Sequence, residues 1–171
     1  MNWAIVIMAL VTLQRLGELV LSRRNTAKLL ASGGYEIGAA HYPIIVAFHT
    51  AWILGLWWLA PSQPVNGYLI GMFAVLQALR VWVIATLGSR WTTRIIRVPG
   101  ETLVARGPFR FLNHPNYAVV VAEIFILPLA FGLVWFSIVS GLINIGILSW
   151  RIHVENTALA SVRFSARMND N

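Results

Sequence analysis

Long hydrophobic runs are the feature that most constrains what this chain can fold into. Residues 3–21, 43–60 and 68–87 are almost entirely apolar, and a helix of about 20 such residues crosses the roughly 30 Å hydrocarbon core of a bilayer. Only 11% of the 171 residues are charged, against roughly 25% in soluble domains. A soluble fold of this size has too small an interior to hide so much apolar surface. The sequence therefore predicts an all-α integral membrane protein.

A fourth hydrophobic run, residues 117–150, is too long for one span. As a single helix it would measure about 50 Å at roughly 1.5 Å per residue, and Glu123 is its only charged residue. Pro128 and Gly132 predict a reversal near its middle. We therefore expect about five transmembrane helices, the last two forming a short hairpin, followed by a C-terminal interfacial helix from Arg151.

The distribution of charge predicts how the chain sits in the membrane. The net charge is +7, and the basic residues lie mainly in the loops after the first and third runs and in the tail. Loops rich in arginine and lysine face the cytoplasm. This predicts a multi-pass protein of the cell membrane with its N-terminus outside and its C-terminus cytoplasmic. Basic loops of this kind meet anionic lipid headgroups, so we expect membrane lipids, and not nucleic acid, as partners.

Several charged residues lie inside the hydrophobic runs. Arg15 and Glu18 are three residues apart, so they share one helix face, and Gln14 lies on that face as well. Because a charge in lipid is costly, we expect Arg15 and Glu18 to face the protein interior and pair there. Arg80 lies close to the basic end of the third run. The sequence leaves open whether its side chain reaches out to the headgroups or contributes to a site.

Residues 107–117 contain the most informative motif. A residue before proline avoids the α conformation, whereas proline itself suits the first turn of a helix. His114 should therefore stand at the entrance of the hairpin, beside free backbone donors that favour an anionic group. Arg151 and Glu155 share one face of the helix that leaves the last span, and the hairpin returns this helix to the same membrane face. We expect these two side chains to meet His114 and Tyr117.

Such a cluster suits a zwitterionic cofactor that carries a sulfonium cation, namely S-adenosyl-L-methionine. Glu155 can pair with its amino group, while the helix N-terminus or an arginine receives its carboxylate. Transfer of a methyl group from a sulfonium to an oxygen anion neutralises two opposite charges, so a dry pocket favours the reaction. The apolar residues expected to hold the purine ring are Leu103, Val104, Pro108 and Phe109.

Short motifs between residues 87 and 160 resemble the isoprenylcysteine carboxyl methyltransferase family. The matching stretches are Leu87-Gly88, Thr93-Arg94-Ile95, Leu103-Val104, Gly107-Pro108-Phe109-Arg110, His114-Pro115-Asn116-Tyr117, and Arg151 with Glu155. The stretches Gln14-Arg15-Leu16-Gly17-Glu18-Leu19, His41-Tyr42 and His49 resemble its small bacterial branch, which includes enzymes that O-methylate alkylpyrones and alkylresorcinols. Two positions depart from the family pattern: Asn156 replaces a frequent second glutamate, and Val119 replaces a frequent glycine.

The resemblance implies one membrane-embedded methyltransferase domain over residues 1–171, with its core cofactor region at about 87–160. It also implies a lipophilic acceptor that enters from the lipid side. Arg94 and Arg151 are the candidate catalytic residues, as anchors for the acceptor oxygen. The residues expected to bind the cofactor are Leu103, Val104, Gly107, Pro108, Phe109, His114, Pro115, Asn116, Tyr117 and Glu155.

The sequence leaves several alternatives open. The acceptor is a phenol, a hydroxypyrone or a carboxylate, and no residue in the sequence identifies which of these it is. Two further readings are a membrane reductase of the sterol-reductase type and a non-catalytic membrane scaffold or small transporter subunit. The absence of cysteine excludes disulfides and thiolate catalysis. The four histidines lack metal-ligand spacing, so we expect no metal site.

Overall fold

The computed structural model describes residues 2–102 and 104–169, with side-chain surroundings through Glu155 and at Thr157. Four of its helices are long and apolar enough to cross a membrane, and a fifth is a shorter apolar helix. This confirms the predicted all-α membrane architecture. The helices are α1 (Trp3–Ala31), α2 (Tyr42–Leu59), α3 (Gly67–Leu87), α4 (Pro115–Ala130, the shorter one) and α5 (Val134–Asn169).

One end of the bundle joins the N-terminus, the α2–α3 connector and the α4–α5 turn. Asn2 caps α1 and Asn66 caps α3, each with a side-chain oxygen that accepts from two backbone amides. The Asn2 side chain also donates to the Pro61 carbonyl at 2.8 Å, and the Asn66 backbone donates to the Ala130 carbonyl at 2.8 Å. These connections carry no charged residue. The hairpin predicted for the last two helices is confirmed, and it turns here.

The opposite end holds a small antiparallel sheet. Strand β1 (Tyr35–Ile37) precedes α2, and strand β2 (Ile95–Arg97) follows α3, with Glu36 opposite Ile96. Their pairing brings the two basic loops together at one end, as expected if both lie on one membrane face. The sheet was not predicted, because each strand has only three residues and its partner is distant in sequence.

Two helices extend beyond the apolar runs that predict them. α1 continues through polar residues to Ala31, where Ser22 and Asn25 are buried against the loop that follows α3. α5 has 36 residues, about 54 Å at roughly 1.5 Å per residue. The tail predicted as an interfacial helix is therefore the continuation of α5. The sequence contains no proline after Pro128, so no residue of that kind ends the helix near Arg151.

The apolar core lies toward the uncharged end of the bundle. Met8 of α1, Leu56 of α2 and Leu127 of α4 are fully buried there. Elsewhere large apolar side chains point outward, and Trp58 and Trp135 are 86% and 79% exposed. Exposed aromatic surface of this size is typical of a protein whose helices contact lipid.

A cluster of charges crosses the middle of the bundle and ties three helices together. Arg15 bonds Glu18 at 3.1 Å, which confirms the predicted pair, and it also bonds Glu123 at 2.7 Å. Arg80 bonds Glu18 at 2.6 Å and Glu123 at 2.9 Å. Because Arg80 is only 6% exposed, its side chain faces inward and does not reach the headgroups. We call these four residues, with Gln14 and Gln77 that hydrogen-bond them, the intramembrane cluster.

Candidate functional site

A cavity of about 740 Å³ lies at the basic end of the bundle. This volume is within the range of roughly 300–1,000 Å³ that small-molecule sites occupy. Its wall is formed by the end of α1, both strands, the loop before α4, the start of α4 and the middle of α5. The predicted site residues found in this wall are Arg94, Val104, Phe109, His114, Asn116, Tyr117, Arg151 and Glu155.

Tyr117 joins the two halves of the predicted cluster. Its hydroxyl donates to the Glu155 carboxylate at 2.9 Å and accepts from the Arg151 Nε at 2.8 Å. The His114 ring stacks on the Tyr117 ring, with 5.2 Å between centroids and 12° between planes. The structure thus brings together the four side chains that the hairpin topology predicts to converge.

The position of His114 follows from its local sequence. Its φ of −131° is non-helical, and Pro115 occupies the first helical position of α4, as expected for a residue before proline. No hydrogen bond from its side chain caps the helix. Its imidazole therefore lies beside Tyr117 at the cavity wall, next to the positive end of the α4 dipole.

Arg151 is buried and held from two sides. It is 6% exposed, and its Nη1 donates to the Thr93 carbonyl at 2.8 Å. In the part of the chain that the structure describes, no carboxylate lies within ion-pair distance of this guanidinium. Its charge is therefore not neutralised by a direct partner among these residues.

Arg94 lies in the same wall in a different electrostatic setting. It bonds Glu36 at 2.6 Å and stacks over the Tyr42 ring, 4.3 Å from its centroid. The hydrogen bond that Arg94 donates to the Glu36 carboxylate raises the pKa of Arg94 above its ordinary value. Of the two predicted anchors, Arg94 is already paired with a carboxylate.

Other predicted cofactor residues shape the backbone and do not line the cavity. Gly107 has a φ of +58°, and a Cβ there would lie 2.7 Å from the Thr86 hydroxyl, so both its conformation and the close approach favour glycine. Pro108 and Pro115 are buried at the starts of a short 3-10 turn and of α4. Leu103 lies outside the described residues.

Two buried polar atoms near the cavity have no hydrogen-bond partner among the described residues. They are the indole nitrogen of Trp91 and the side-chain oxygen of Asn116, and both residues line the cavity. Buried polar groups are normally paired, so these atoms favour a polar ligand. Asn116 was predicted as a cofactor residue, whereas Trp91 was not.

Sequence reasoning also missed the contribution of the N-terminal third. Ser22 and Asn25 of α1 hold the loop after α3, and Glu36 and Tyr42 contact Arg94. Tyr42 lies in a stretch that resembles the small bacterial branch, but that resemblance does not give its contact. Ser22 and Asn25 are three positions apart, which indicates a shared helix face and not the partner that this face meets. Among the described residues, no group of three or more acidic or histidine side chains is placed to hold a metal ion.

Comparison with known proteins places this architecture in a family. A sequence model of the isoprenylcysteine carboxyl methyltransferase family matches residues 69–161, more than half of the chain. The uncharacterized Bacillus subtilis protein YpbQ is 36% identical over 165 residues, covering 93% of this chain and 96% of its own length. An uncharacterized Haemophilus influenzae protein is 26% identical over 154 residues, covering 85% and 88%. No solved structure matches. The chain therefore belongs to the isoprenylcysteine carboxyl methyltransferase family, whose members are membrane methyltransferases.

Proposed function

We propose that this protein transfers a methyl group from S-adenosyl-L-methionine to an oxygen atom of a lipophilic acceptor at the membrane surface. The observation that carries the proposal is the hydrogen-bonded chain from Glu155 through Tyr117 to Arg151 in the wall of the cavity. It places a carboxylate for a cationic ligand a short distance from a guanidinium that can receive an anion.

The residues of the cavity fit the cofactor. Glu155 offers a carboxylate to the amino group, and the N-terminus of α4 favours the carboxylate. The unpartnered Asn116 oxygen and Trp91 nitrogen provide an acceptor and a donor for the remaining polar groups. Val104 and Phe109 supply apolar surface for a purine ring. When bound, S-adenosyl-L-methionine supplies a methyl group on a positively charged sulfur.

Arg151 is the better of the two candidate anchors for the acceptor oxygen. Its guanidinium contacts the neutral oxygens of Tyr117 and Thr93, whereas the charge of Arg94 is balanced by Glu36. An arginine without a direct counterion stabilises a nearby oxyanion more strongly, particularly where water is largely excluded. Arg151 therefore binds the acceptor oxygen, and Arg94 holds the sheet against the site.

The charge of the cavity favours an anionic acceptor. Arg90, Arg94, Arg97 and Arg151 line it, against the two glutamates Glu101 and Glu155. A phenol or hydroxypyrone must lose a proton before it attacks, and an adjacent guanidinium lowers its pKa. A carboxylic acid is already ionised near neutral pH. The resemblance to the small bacterial branch favours the phenol or hydroxypyrone.

The position of the cavity suits a substrate with a lipid tail. It lies where α1, α3 and α5 leave the apolar part of the bundle, so a polar head can enter while its tail stays beside the helices. We place this basic end on the cytoplasmic side of the cell membrane, since loops rich in arginine stay on that side.

A binding experiment tests the cofactor assignment. The full chain in detergent is titrated with S-adenosylhomocysteine by calorimetry, together with His114→Ala and Glu155→Ala. His153→Ala is the matched control, because His153 is exposed on the same helix. We expect binding to wild type and the control, and a loss of at least tenfold in both site variants. Absence of binding to wild type would overturn the proposal.

A second experiment tests the acceptor. Detergent-solubilised protein is incubated with radiolabelled S-adenosyl-L-methionine and a long-chain alkylresorcinol, an alkylpyrone or a fatty acid. We expect methylation of the first two, with a pH–rate limb near the pKa of the acceptor. Methylation of the fatty acid alone, without such a limb, would identify a carboxylate as the acceptor instead.

A further inference from the structure

The backbone of Thr93 connects α1 to the active site. Ser22 of α1 is 1% exposed, and its hydroxyl accepts from the backbone N–H of Thr93 at 2.9 Å. The same hydroxyl lies 2.7 Å from the Thr93 side-chain oxygen. Ser22 therefore holds both the main chain and the side chain of Thr93.

Tyr42 contacts Thr93 from a second helix. Its hydroxyl lies 3.2 Å from the Thr93 side-chain oxygen, while its ring lies under the guanidinium of Arg94. Thr93 is therefore held by residues of both α1 and α2. Both helices lie entirely outside the region that the family model matches.

The carbonyl of Thr93 in turn fixes Arg151. It accepts from Nη1 at 2.8 Å, while the Tyr117 hydroxyl accepts from Nε at 2.8 Å. A planar guanidinium held at two of its nitrogens has a defined orientation. Its remaining N–H groups can bind an anion in that orientation.

We propose that Ser22, Tyr42 and Thr93 are positioning residues that orient the Arg151 guanidinium toward the acceptor oxygen. The inference rests on the proposed function, in which Arg151 binds the acceptor. The cofactor end of the cavity, with His114, Asn116 and Glu155, makes no described hydrogen bond to these three residues. This relay, from Ser22 and Tyr42 through Thr93 to Arg151, therefore acts on acceptor binding more directly than on cofactor binding.

The test compares acceptor and cofactor binding in the same variants. Ser22→Ala removes both contacts of Ser22 with Thr93, Thr93→Val removes the side-chain contacts with Ser22 and Tyr42, and Thr93→Ser retains the hydroxyl. Thr12→Val is the matched control. The Thr12 hydroxyl lies on α1 nearer the N-terminus than Ser22, and it accepts a comparable interhelical hydrogen bond from the Trp57 indole N–H. Calorimetry measures S-adenosylhomocysteine first and then a long-chain alkylresorcinol added to that complex.

We expect Ser22→Ala and Thr93→Val to weaken acceptor binding on the order of 3- to 10-fold, the effect of one lost hydrogen bond. Cofactor affinity should stay within about twofold of wild type in the same variants, and Thr93→Ser and Thr12→Val should resemble wild type. The pH–rate limb of the acceptor should also move to higher pH, because a misplaced guanidinium lowers the acceptor pKa less.

A double-mutant cycle shows whether the relay acts through Arg151. If it does, Thr93→Val should change acceptor affinity far less in an Arg151→Lys background than in wild type. Additive effects, or an equal loss of cofactor affinity, would overturn the inference.

If Ser22→Ala does not fold, Tyr42→Phe tests the same relay, because it removes one hydroxyl and leaves the ring under Arg94 in place. A different result would contradict the proposed function itself, namely that the wild-type protein does not bind S-adenosylhomocysteine.

Discussion

Tyr117 and Glu155 are 38 positions apart in sequence and share a hydrogen bond of 2.9 Å. Tyr117 lies in the first turn of α4, and Glu155 lies well inside α5. Their contact requires that α4 and α5 pack antiparallel and that α5 continues as a helix past the apolar run. Both conditions hold, so the motif at residues 114–117 and the Glu155 carboxylate lie at one site.

Removing the Tyr117 hydroxyl should weaken cofactor binding. In Tyr117→Phe the ring still stacks on His114, but Arg151 and Glu155 lose the neutral oxygen that joins them. Hydrogen bonds to charged groups contribute about 1.5–3 kcal/mol, so affinity for S-adenosylhomocysteine should fall on the order of 10- to 100-fold. Calorimetry measures the loss, with the exposed Tyr68→Phe as control. Unchanged affinity would contradict the bridging role.

Breaking the intramembrane cluster should strongly destabilise the fold. Glu123 is 1% exposed and accepts from both Arg15 and Arg80. Glu123→Gln keeps the shape but leaves a buried positive charge unbalanced, which should cost about 3–5 kcal/mol. By contrast, Glu101→Gln removes a half-exposed pair with Arg90 at 3.4 Å and should cost less than about 1 kcal/mol. Unfolding in detergent measures the loss of unfolding free energy in both variants. Equal losses would contradict a special structural role for the ion pairs of Glu123.

Close packing of the hairpin depends on one glycine. A Cβ at Gly141 would collide with the Phe125 ring, whereas nothing lies near a Cβ at Gly146 on the same helix. Gly141→Ala should therefore force the Phe125 ring or α5 itself to shift, and destabilise the fold by about 1–3 kcal/mol. Any shift of α5 should also weaken cofactor binding, because it moves Glu155 away from Tyr117. Gly146→Ala should be neutral or slightly stabilising. If it lowers stability as much as Gly141→Ala does, the close approach of Gly141 to the Phe125 ring is not the cause.

The proposed orientation can be tested by labelling. The chain has no cysteine, so Ser62→Cys and Ser89→Cys each introduce a single thiol at an exposed position. Ser62 lies in the uncharged connector and Ser89 at the basic end. An impermeant maleimide added to intact cells should label Ser62→Cys, and Ser89→Cys only after permeabilisation. The reverse pattern would place the basic end and its cavity outside the cell.

Much of this architecture could be predicted because its signals are local. Hydropathy along consecutive residues determined the spans, and Pro128 with Gly132 indicated the hairpin. The proline after His114 determined the entrance of α4, and the spacing of Arg15 and Glu18 determined their pairing. Each of these depends on residues within a few helical turns.

The sequence by itself thus determined a bundle of membrane helices, a charged end and a histidine-bearing helix entrance. Only the tertiary structure decided that Arg80 pairs with Glu18 and Glu123, that Arg94 is paired with Glu36, and that Ser22 reaches Arg151 through Thr93. The physical reason is that helix periodicity sets which side chains share a face, whereas the partner of that face depends on how separate helices pack.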